Sequence, residues 1–432
     1  MEGSGTNISN KSLSLYLSNS KLDDPLFWRD KCACLKISED SNGQTSSKEG
    51  NSQSSLMLGI GSEESERKRS KLVSKGYVLV DERFDSDLVG SVKKGIEQLH
   101  EIELPATFVL LFDEAWSLAR ASRSLLDKCT HSDNHFNFDL LAWYIEPGKG
   151  GFSPHRDRQP ENASSTFHSD KQAKFVTNWI ALSDATTENS CLHVIPKSCD
   201  PGYLEGDTEK EDPLQRALPN KESFQKIRAL PRKSGQSILF DHRIIHWGSS
   251  SDEDTKDPPR IAISFVASDP KYEPPLIDPE YFTATRNPPF RIRLLLVCAQ
   301  LLIYYQRFEL DKDAVKACYK YCKRYEGELH ETYRRKVFLE FVNAMKESNE
   351  VKVVITEEGD EEDEEDAMMQ EMLDAESGGY GEFQDDYDEL DESHTEDGSE
   401  EDLSNDDEQI NLFGKRLAGS MHSSKSAKKP KP

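Results

Sequence analysis

The chain has 432 residues, a formal net charge of −26 and a mean hydropathy of −0.73. It is too long for one ordinary core of about 100–200 residues, but its hydrophobic content of 35% is too low for three cores. These values exclude a uniformly packed multidomain protein and predict one large domain with disordered segments.

The acidic charge is confined to one block. Residues 357–408 contain 27 Asp and Glu and no Lys or Arg, whereas the remaining chain has 53 acidic and 54 basic residues. The low isoelectric point therefore describes a tail and carries no information about an active site.

Membrane and secretory classes are excluded by the apolar pattern. The longest apolar run, near 294–305, is shorter than the ~20 residues that span a bilayer, and residues 1–25 lack a secretory core. Eight scattered cysteines do not form a disulfide framework. We predict an intracellular protein, cytoplasmic or nuclear, with reduced thiols.

Residues 1–70 are rich in Ser, Asn, Gly, Lys and Glu and are predicted to be mostly disordered. One apolar island surrounds Phe27, Trp28 and Leu35. It either docks on the folded domain or binds a partner, and docking is the preferred interpretation.

The folded domain is assigned to residues 71–285. A short β-rich run at 76–80 precedes two helical patterns, at 85–100 and 112–128. Short strand-like runs separated by Gly, Pro, Asn and Asp then predict an antiparallel β core, either a sandwich or a jelly roll. These runs are 138–145, 173–182, 191–195, 227–230, 237–240, 244–247 and 261–266.

Helical patterns return near 290–308, 312–326 and 328–346, and we predict a helical cap over residues 286–350. Residues 351–432 are predicted to be a disordered acidic tail with a basic end. The tail is interpreted either as a solubilising extension or as a binding segment for a basic protein partner. No nucleic-acid binding is expected.

Three His-x-Asp triplets begin at His131, His155 and His168, where chance predicts about one. His131 and His168 lie in polar segments and are interpreted as solvated loop histidines. His155 instead follows a strand and a Gly-rich turn. Because residues i and i+2 of an extended segment share one face, His155 and Asp157 can point together at a metal ion.

A third ligand would come from His242 or His246, which have the same strand parity, and we choose His246. Two imidazoles and one carboxylate form the facial triad of non-haem Fe(II) sites, which leaves three adjacent positions open. Arg260 opens the next strand and can pair with the far carboxylate of a dicarboxylic acid chelated at the metal.

Over about residues 76–268 the sequence resembles the phytanoyl-CoA dioxygenase family of Fe(II)/2-oxoglutarate oxygenases. The resemblance rests on 76–80, the His155-Arg-Asp157 triplet, 178–184 (NWIALSD), 188–198 (ENSCLHVIPKS), and His246 with Arg260. It implies a double-stranded β-helix with His155, Asp157 and His246 as iron ligands, and a hydroxylation that releases succinate and carbon dioxide. It further implies that Arg260 holds the distal carboxylate of 2-oxoglutarate, that Trp179 lines the pocket and that Ser249 adds a hydroxyl. The cofactors that the resemblance implies are Fe(II), 2-oxoglutarate and O2, with ascorbate left open.

The sequence also departs from the family pattern. Asn189-Ser190 stands where Asn-Gly is usual, and Trp247-Gly248 follows His246 where a small residue and then Ser are usual. The alternatives are a catalytically inactive jelly-roll scaffold that acts through its tail, and a zinc or manganese hydrolase or isomerase that needs no Arg260. The substrate, a small molecule or a peptide, stays open.

Overall fold

A computed structural model describes residues 21–38, 59–158, 163–207, 212–308 and 310–353, together with residues 13, 16 and 17. The predictions for 354–432 and for most of 1–58 therefore lie outside the described residues.

The apolar island near the N-terminus packs on the folded domain. Helix α1 (Pro25–Lys31) is capped by Asp24, whose side chain accepts a hydrogen bond from the Leu26 amide. Trp28 is fully buried, and its ring stacks on Phe108 at a centroid distance of 5.2 Å. This is the docked arrangement that the sequence analysis preferred.

Helix α2 (Ser62–Lys75) crosses the predicted boundary at residue 71. It escaped detection because Leu72 is its one buried apolar residue, so the helical apolar period is weak. Lys68 is also buried there, and Glu64 and Glu82 neutralise its ammonium at 2.7 and 2.9 Å. Ion pairing therefore supplies part of the burial that an apolar face supplies in other helices.

The larger sheet contains five antiparallel strands. Their Val, Ile, Phe and Trp residues match the predicted runs to within a few positions, because such side chains favour half-buried strands. The order is β1 (Tyr77–Val80), β6 (Ser237–Asp241), β3 (Phe175–Ala181), β8 (Arg260–Ser268) and β2 (His135–Ile145).

The smaller sheet has the antiparallel order β5 (Arg228–Leu230), β4 (Leu192–Ile195) and β7 (Ile245–Gly248). The segment 151–155 runs along β7 and donates and accepts backbone hydrogen bonds with it. Two antiparallel sheets with flanking helices are compatible with the predicted jelly roll.

Strand parity divides the side chains between two apolar clusters. In β3, Val176 and Ile180 face the helices, whereas Trp179 and Ala181 join a cluster that includes Leu192 of β4. Trp179 therefore points toward the space between the sheets, where the site described below lies.

Helices α3 (Ser86–Glu101) and α4 (Asp113–Cys129) lie where the sequence predicts them. Toward the C-terminus, α7 (Phe290–Ile303) is buried along most of its length and contacts β2. It is followed by α8 (Lys312–Arg324) and α9 (Glu331–Val353). These helices match the predicted segments, and their function as a cap stays a prediction. Shorter elements are α5 (Gly202–Glu205), α6 (Pro213–Ala217) and the 3-10 helices Ala106–Leu111, Ala163–Thr166, Lys197–Cys199, Lys221–Lys226, Pro279–Tyr281, Tyr305–Arg307 and Glu326–Glu328.

Within the described part of the chain, no helix combines the length and the apolar character that a membrane crossing requires.

Candidate metal centre

The structure brings His155, Asp157 and His246 together between the two sheets. His155 and His246 form an antiparallel bridge, with N···O distances of 3.1 and 3.0 Å. Asp157 Oδ1 lies 3.6 Å from His155 Nε2 and 3.5 Å from His246 Nε2. One ligand atom from each residue lies within 4.8 Å of the other two, which is the spacing of a single-ion site.

Backbone contacts orient both imidazoles. His155 Nδ1 lies 2.8 Å from the Ser153 carbonyl oxygen, and His246 Nδ1 lies 3.2 Å from that of Ile244. A carbonyl only accepts, so each Nδ1 carries a proton, and in the neutral imidazole the lone pair is then on Nε2. Thr177 donates to Asp157 Oδ2 at 3.0 Å and leaves Oδ1 toward the histidines. The free lone pairs therefore converge.

The charge states also suit a cation. Burial lowers the pKa of His246 to about 4, and the neighbouring His155 adds to this effect. Burial works against ionisation of Asp157, but His246, His155 and Arg158 outweigh it and hold its pKa well below its usual range. At neutral pH the site therefore contains a carboxylate and a neutral imidazole at position 246, the forms that bind metal.

Buried ion pairs fix the segment that carries the first two candidate ligands. Arg156 points away from the site and pairs with Asp200 and Asp207, each at 2.6 Å. Arg158 forms two hydrogen bonds to Glu273, at 2.9 and 3.2 Å. Because charge-assisted bonds of this kind are strong and directional, they hold the segment in place, although it pairs with β7 only up to His155 and bends at Asp157.

A second contact network ties the same segment to the C-terminal helices. Glu273 also accepts a hydrogen bond from Tyr333 of α9 at 2.6 Å, and Asp139 accepts one from Tyr304 at 2.7 Å. These contacts could not be predicted from the sequence, because no motif links residues so far apart along the chain.

The other two His-x-Asp triplets meet each other. His131, Asp133 and His168 also bring ligand atoms within 4.8 Å. However, the two rings stack at a centroid distance of 3.7 Å and an angle of 14°. An imidazole lone pair lies in the ring plane, so nearly parallel stacked rings do not aim at one ion. The loop prediction for His168 needs correction, because its side chain is only 8% exposed and Nε2 bonds to Asn134.

The rejected alternative, His242, is fully buried, and its ring nitrogens bond to residues outside the candidate ligand set. Its Nε2 bonds to the Thr166 hydroxyl at 2.7 Å, and its Nδ1 faces the Phe175 carbonyl at 3.2 Å. Burial lowers its pKa to about 3, so it is a neutral core residue at physiological pH.

Arg260 occupies a buried position beside the strand that carries His246. It is 1% exposed, and its guanidinium carbon lies 5.6 Å from the Trp179 ring centroid. Within the described residues, its Nε and Nη2 atoms have no hydrogen-bond partner. Burial lowers its pKa to about 10, with a small opposing contribution from Cys191. A buried cation with two free donors fits a carboxylate ligand.

Two further buried hydroxyl oxygens have no hydrogen-bond partner in the described part of the chain, Ser190 Oγ and Ser249 Oγ. Ser249 was an expectation of the sequence analysis, and Ser190 was not. The one sequence feature that could have indicated Ser190 is the replacement of the usual Asn-Gly by Asn189-Ser190.

Arg307 is a second residue that the sequence analysis missed. Its guanidinium carbon lies 4.3 Å from the Phe152 ring centroid, and its charge contributes to the lowered pKa of His246 after burial and His155. Trp143 packs between Phe152 and Phe308, at 4.3 and 5.4 Å. Two of these residues, Arg307 and Phe308, come from the C-terminal segment, where no sequence motif marks them.

The comparisons with known proteins identify one family. Residues 74–255 match the model of the family Phytanoyl-CoA dioxygenase (PhyH). No curated protein has significant sequence similarity to the chain.

Several solved structures resemble the fold. The non-heme alpha ketoglutarate dependent epimerase SnoN from nogalamycin biosynthesis is 20% identical, with 48% of this chain and 82% of that chain covered and a TM-score of 0.38. The carbocyclase SnoK from the same biosynthesis is 18% identical, with 49% and 86% covered and a TM-score of 0.38. EctD from S. alaskensis, solved with 2-oxoglutarate and 5-hydroxyectoine, is 17% identical, with 52% and 84% covered and a TM-score of 0.34.

Proposed function

We propose that the chain is an Fe(II)- and 2-oxoglutarate-dependent dioxygenase that hydroxylates an organic substrate. The premise is that residues 74–255 form a domain of the phytanoyl-CoA dioxygenase family. The observation that carries the proposal is the convergence of His155 Nε2, Asp157 Oδ1 and His246 Nε2 beside a buried arginine. The triad would hold iron, and Arg260 would hold the distal carboxylate of 2-oxoglutarate.

Bound iron and 2-oxoglutarate supply the oxidising chemistry, in which O2 is consumed, succinate and carbon dioxide are released and a substrate C–H bond is hydroxylated. The chain's own residues determine where this occurs. The Nδ1–H bonds of His155 and His246 fix the direction of their lone pairs, and Thr177 keeps one oxygen of Asp157 free. Trp179 lies against Arg260, with its ring centroid 5.6 Å from the guanidinium carbon, and would line that end of the pocket.

The pairing of Arg260 with a carboxylate is favoured by electrostatics. Two donors of a buried guanidinium are unpaired within the described residues, and an unpaired buried charge is costly. A carboxylate would neutralise the charge and accept both hydrogen bonds. A hydrolase or isomerase with the same metal ligands would have no use for this arrangement.

The test compares two histidines from matched triplets. Purified protein with Fe(II), ascorbate and 2-oxoglutarate is assayed for O2-dependent succinate release, and the anaerobic Fe(II)–2-oxoglutarate absorption band is recorded. His155→Ala is expected to abolish both signals, whereas His131→Ala, in the triplet with stacked rings, keeps both.

Arg260→Ala separates the remaining alternatives. It is expected to retain metal and lose 2-oxoglutarate binding. If wild-type protein binds metal but neither binds nor consumes 2-oxoglutarate, the proposal is refuted and the inactive-scaffold alternative gains support.

A further inference from the structure

Gly248, the residue that follows His246 on the same face of β7, has no side chain. On β7, His246 and Gly248 share one face because they are two residues apart. A Cβ atom built on Gly248 would lie 3.1 Å from Ser190 Oγ and 3.3 Å from Arg260 Nη2. The hydroxyl of Ser190 therefore occupies the space beside Arg260 that a side chain from position 248 would enter.

A second glycine makes room for this hydroxyl. A Cβ atom on Gly151 would lie 2.6 Å from Ser190 Oγ and 2.7 Å from the backbone of Gly248. Only a residue without a side chain fits there, so two glycines form the walls of the space that Ser190 enters.

Ser190 is held in a strained backbone conformation. Its φ is +74°, a region that non-glycine residues rarely adopt. The turn is locked by Asn189, whose amide accepts from the Thr186 backbone N–H at 2.7 Å and donates to the carbonyls of Asp184 and Pro258 at 2.9 and 3.0 Å. Glycine would meet this geometry without strain, so serine at this position needs another explanation.

The hydroxyl itself is buried and unpaired. Ser190 has no solvent exposure, and its Oγ lacks a hydrogen-bond partner within the described residues, as do Nε and Nη2 of Arg260. An unpaired buried hydroxyl costs stability. A hydroxyl and a guanidinium that face the same small space provide donors for the two oxygens of one carboxylate.

Ser249 is the hydroxyl residue that the resemblance to the family implies for this role. It follows the end of β7 and lies one residue beyond Gly248, so its strand parity is opposite to that of His246. Ser190 is therefore better placed than Ser249 on the face that carries the candidate metal ligand.

We propose that Ser190 donates a hydrogen bond to the distal carboxylate of 2-oxoglutarate together with Arg260; this inference rests on the proposed function. The two departures from the family pattern, Ser at 190 and Gly at 248, then compensate for each other. The hydroxyl that is missing on β7 at Gly248 is replaced by that of Ser190 on the facing turn, which reaches the same carboxylate. Ser190 is a binding residue for the cosubstrate, and the strain at its φ is a structural cost of that role.

The test measures binding without turnover. Zn(II)-loaded protein is titrated calorimetrically with 2-oxoglutarate and with 2-oxobutyrate, which lacks the distal carboxylate. Ser190→Ala is expected to weaken 2-oxoglutarate binding about tenfold, the value of a hydrogen bond to a charged group, and to leave 2-oxobutyrate binding unchanged. Ser249→Ala is expected to change both affinities less than twofold.

Ser190→Gly adds a stability readout. It is expected to weaken 2-oxoglutarate binding as Ser190→Ala does, and also to raise the melting temperature, because glycine relieves the positive φ. The double variant Ser190→Gly/Gly248→Ser returns a hydroxyl to β7 and is expected to recover affinity relative to Ser190→Gly.

The outcomes separate this inference from the proposed function. If wild-type protein binds neither keto acid, the proposed function and this inference both fail. If wild-type protein binds 2-oxoglutarate but Ser190→Ala binds it equally well, or loses both ligands in parallel, only the role of Ser190 is overturned.

Discussion

Arg260→Met is the most informative perturbation, because it should stabilise the protein while removing a function. Burial lowers the pKa of Arg260 from its ordinary value to about 10. The folded state therefore disfavours the charged guanidinium, and at pH 7 this cost is fully present, since it is relieved only as the pH rises above about 10. This lowering of the pKa corresponds to a cost of about 3 kcal/mol for the folded state.

Methionine removes the charge and keeps an unbranched apolar chain beside Trp179. Loss of the cation–π contact with that ring, worth about 0.5–2 kcal/mol, offsets part of the gain. We therefore expect the metal-free, ligand-free variant to be about 1–3 kcal/mol more stable than wild type. Gains of this kind from removing a functional charge are known from other active sites.

Chemical denaturation and thermal melting, each with and without 2-oxoglutarate and Zn(II), measure both effects. Wild-type protein should gain melting temperature when 2-oxoglutarate binds, and Arg260→Met should not. Arg156→Met is the matched control: this buried arginine pairs with Asp200 and Asp207, so its removal leaves two buried carboxylates and should destabilise by about 3–5 kcal/mol. If Arg260→Met is as damaging as Arg156→Met, Arg260 is structural and the reasoning is refuted.

Three further predictions concern the surroundings of the site. Burial raises the pKa of Asp241 to about 6, so the native state binds more protons than the unfolded chain between about pH 4 and 6. The free energy of unfolding should therefore fall by up to about 3 kcal/mol as the pH rises through that window. Asp241→Asn should flatten this pH dependence in denaturation measured from pH 4 to 7, and an unchanged pH dependence would contradict the assignment. Gly151→Ala should destabilise the protein by about 1–3 kcal/mol, because its Cβ would lie 2.7 Å from the β7 backbone. Gly150→Ala is the control, because that position has open space around it and the variant should keep its stability. Equal effects of the two variants in chemical denaturation would refute the packing argument. Arg307→Gln removes a cation near the candidate metal centre and should tighten Mn(II) binding several-fold in a spectroscopic titration, with equal or weaker binding as the contrary result.

Local sequence patterns predicted most of the elements that frame the site. The strands β3, β6 and β8 were recognisable because β-branched and aromatic residues recur between turn residues. Helix α2 was missed because a buried lysine and its two carboxylate partners replace the apolar face on which periodicity depends. His168 was misread as solvated, since its burial comes from stacking on His131, a contact between two loops.

Residue spacing along the chain establishes which side chains can share a face. The spacing of His155 and Asp157, and the parity of His246 with Gly248, follow from the two-residue repeat of an extended chain, which is a local property. Which faces meet depends on the fold, because the register of β7 against the 151–155 segment and the turn at Asn189 come from backbone pairing between distant parts of the chain. That pairing places Ser190 beside Arg260, a proximity of non-neighbouring residues that no local pattern encodes.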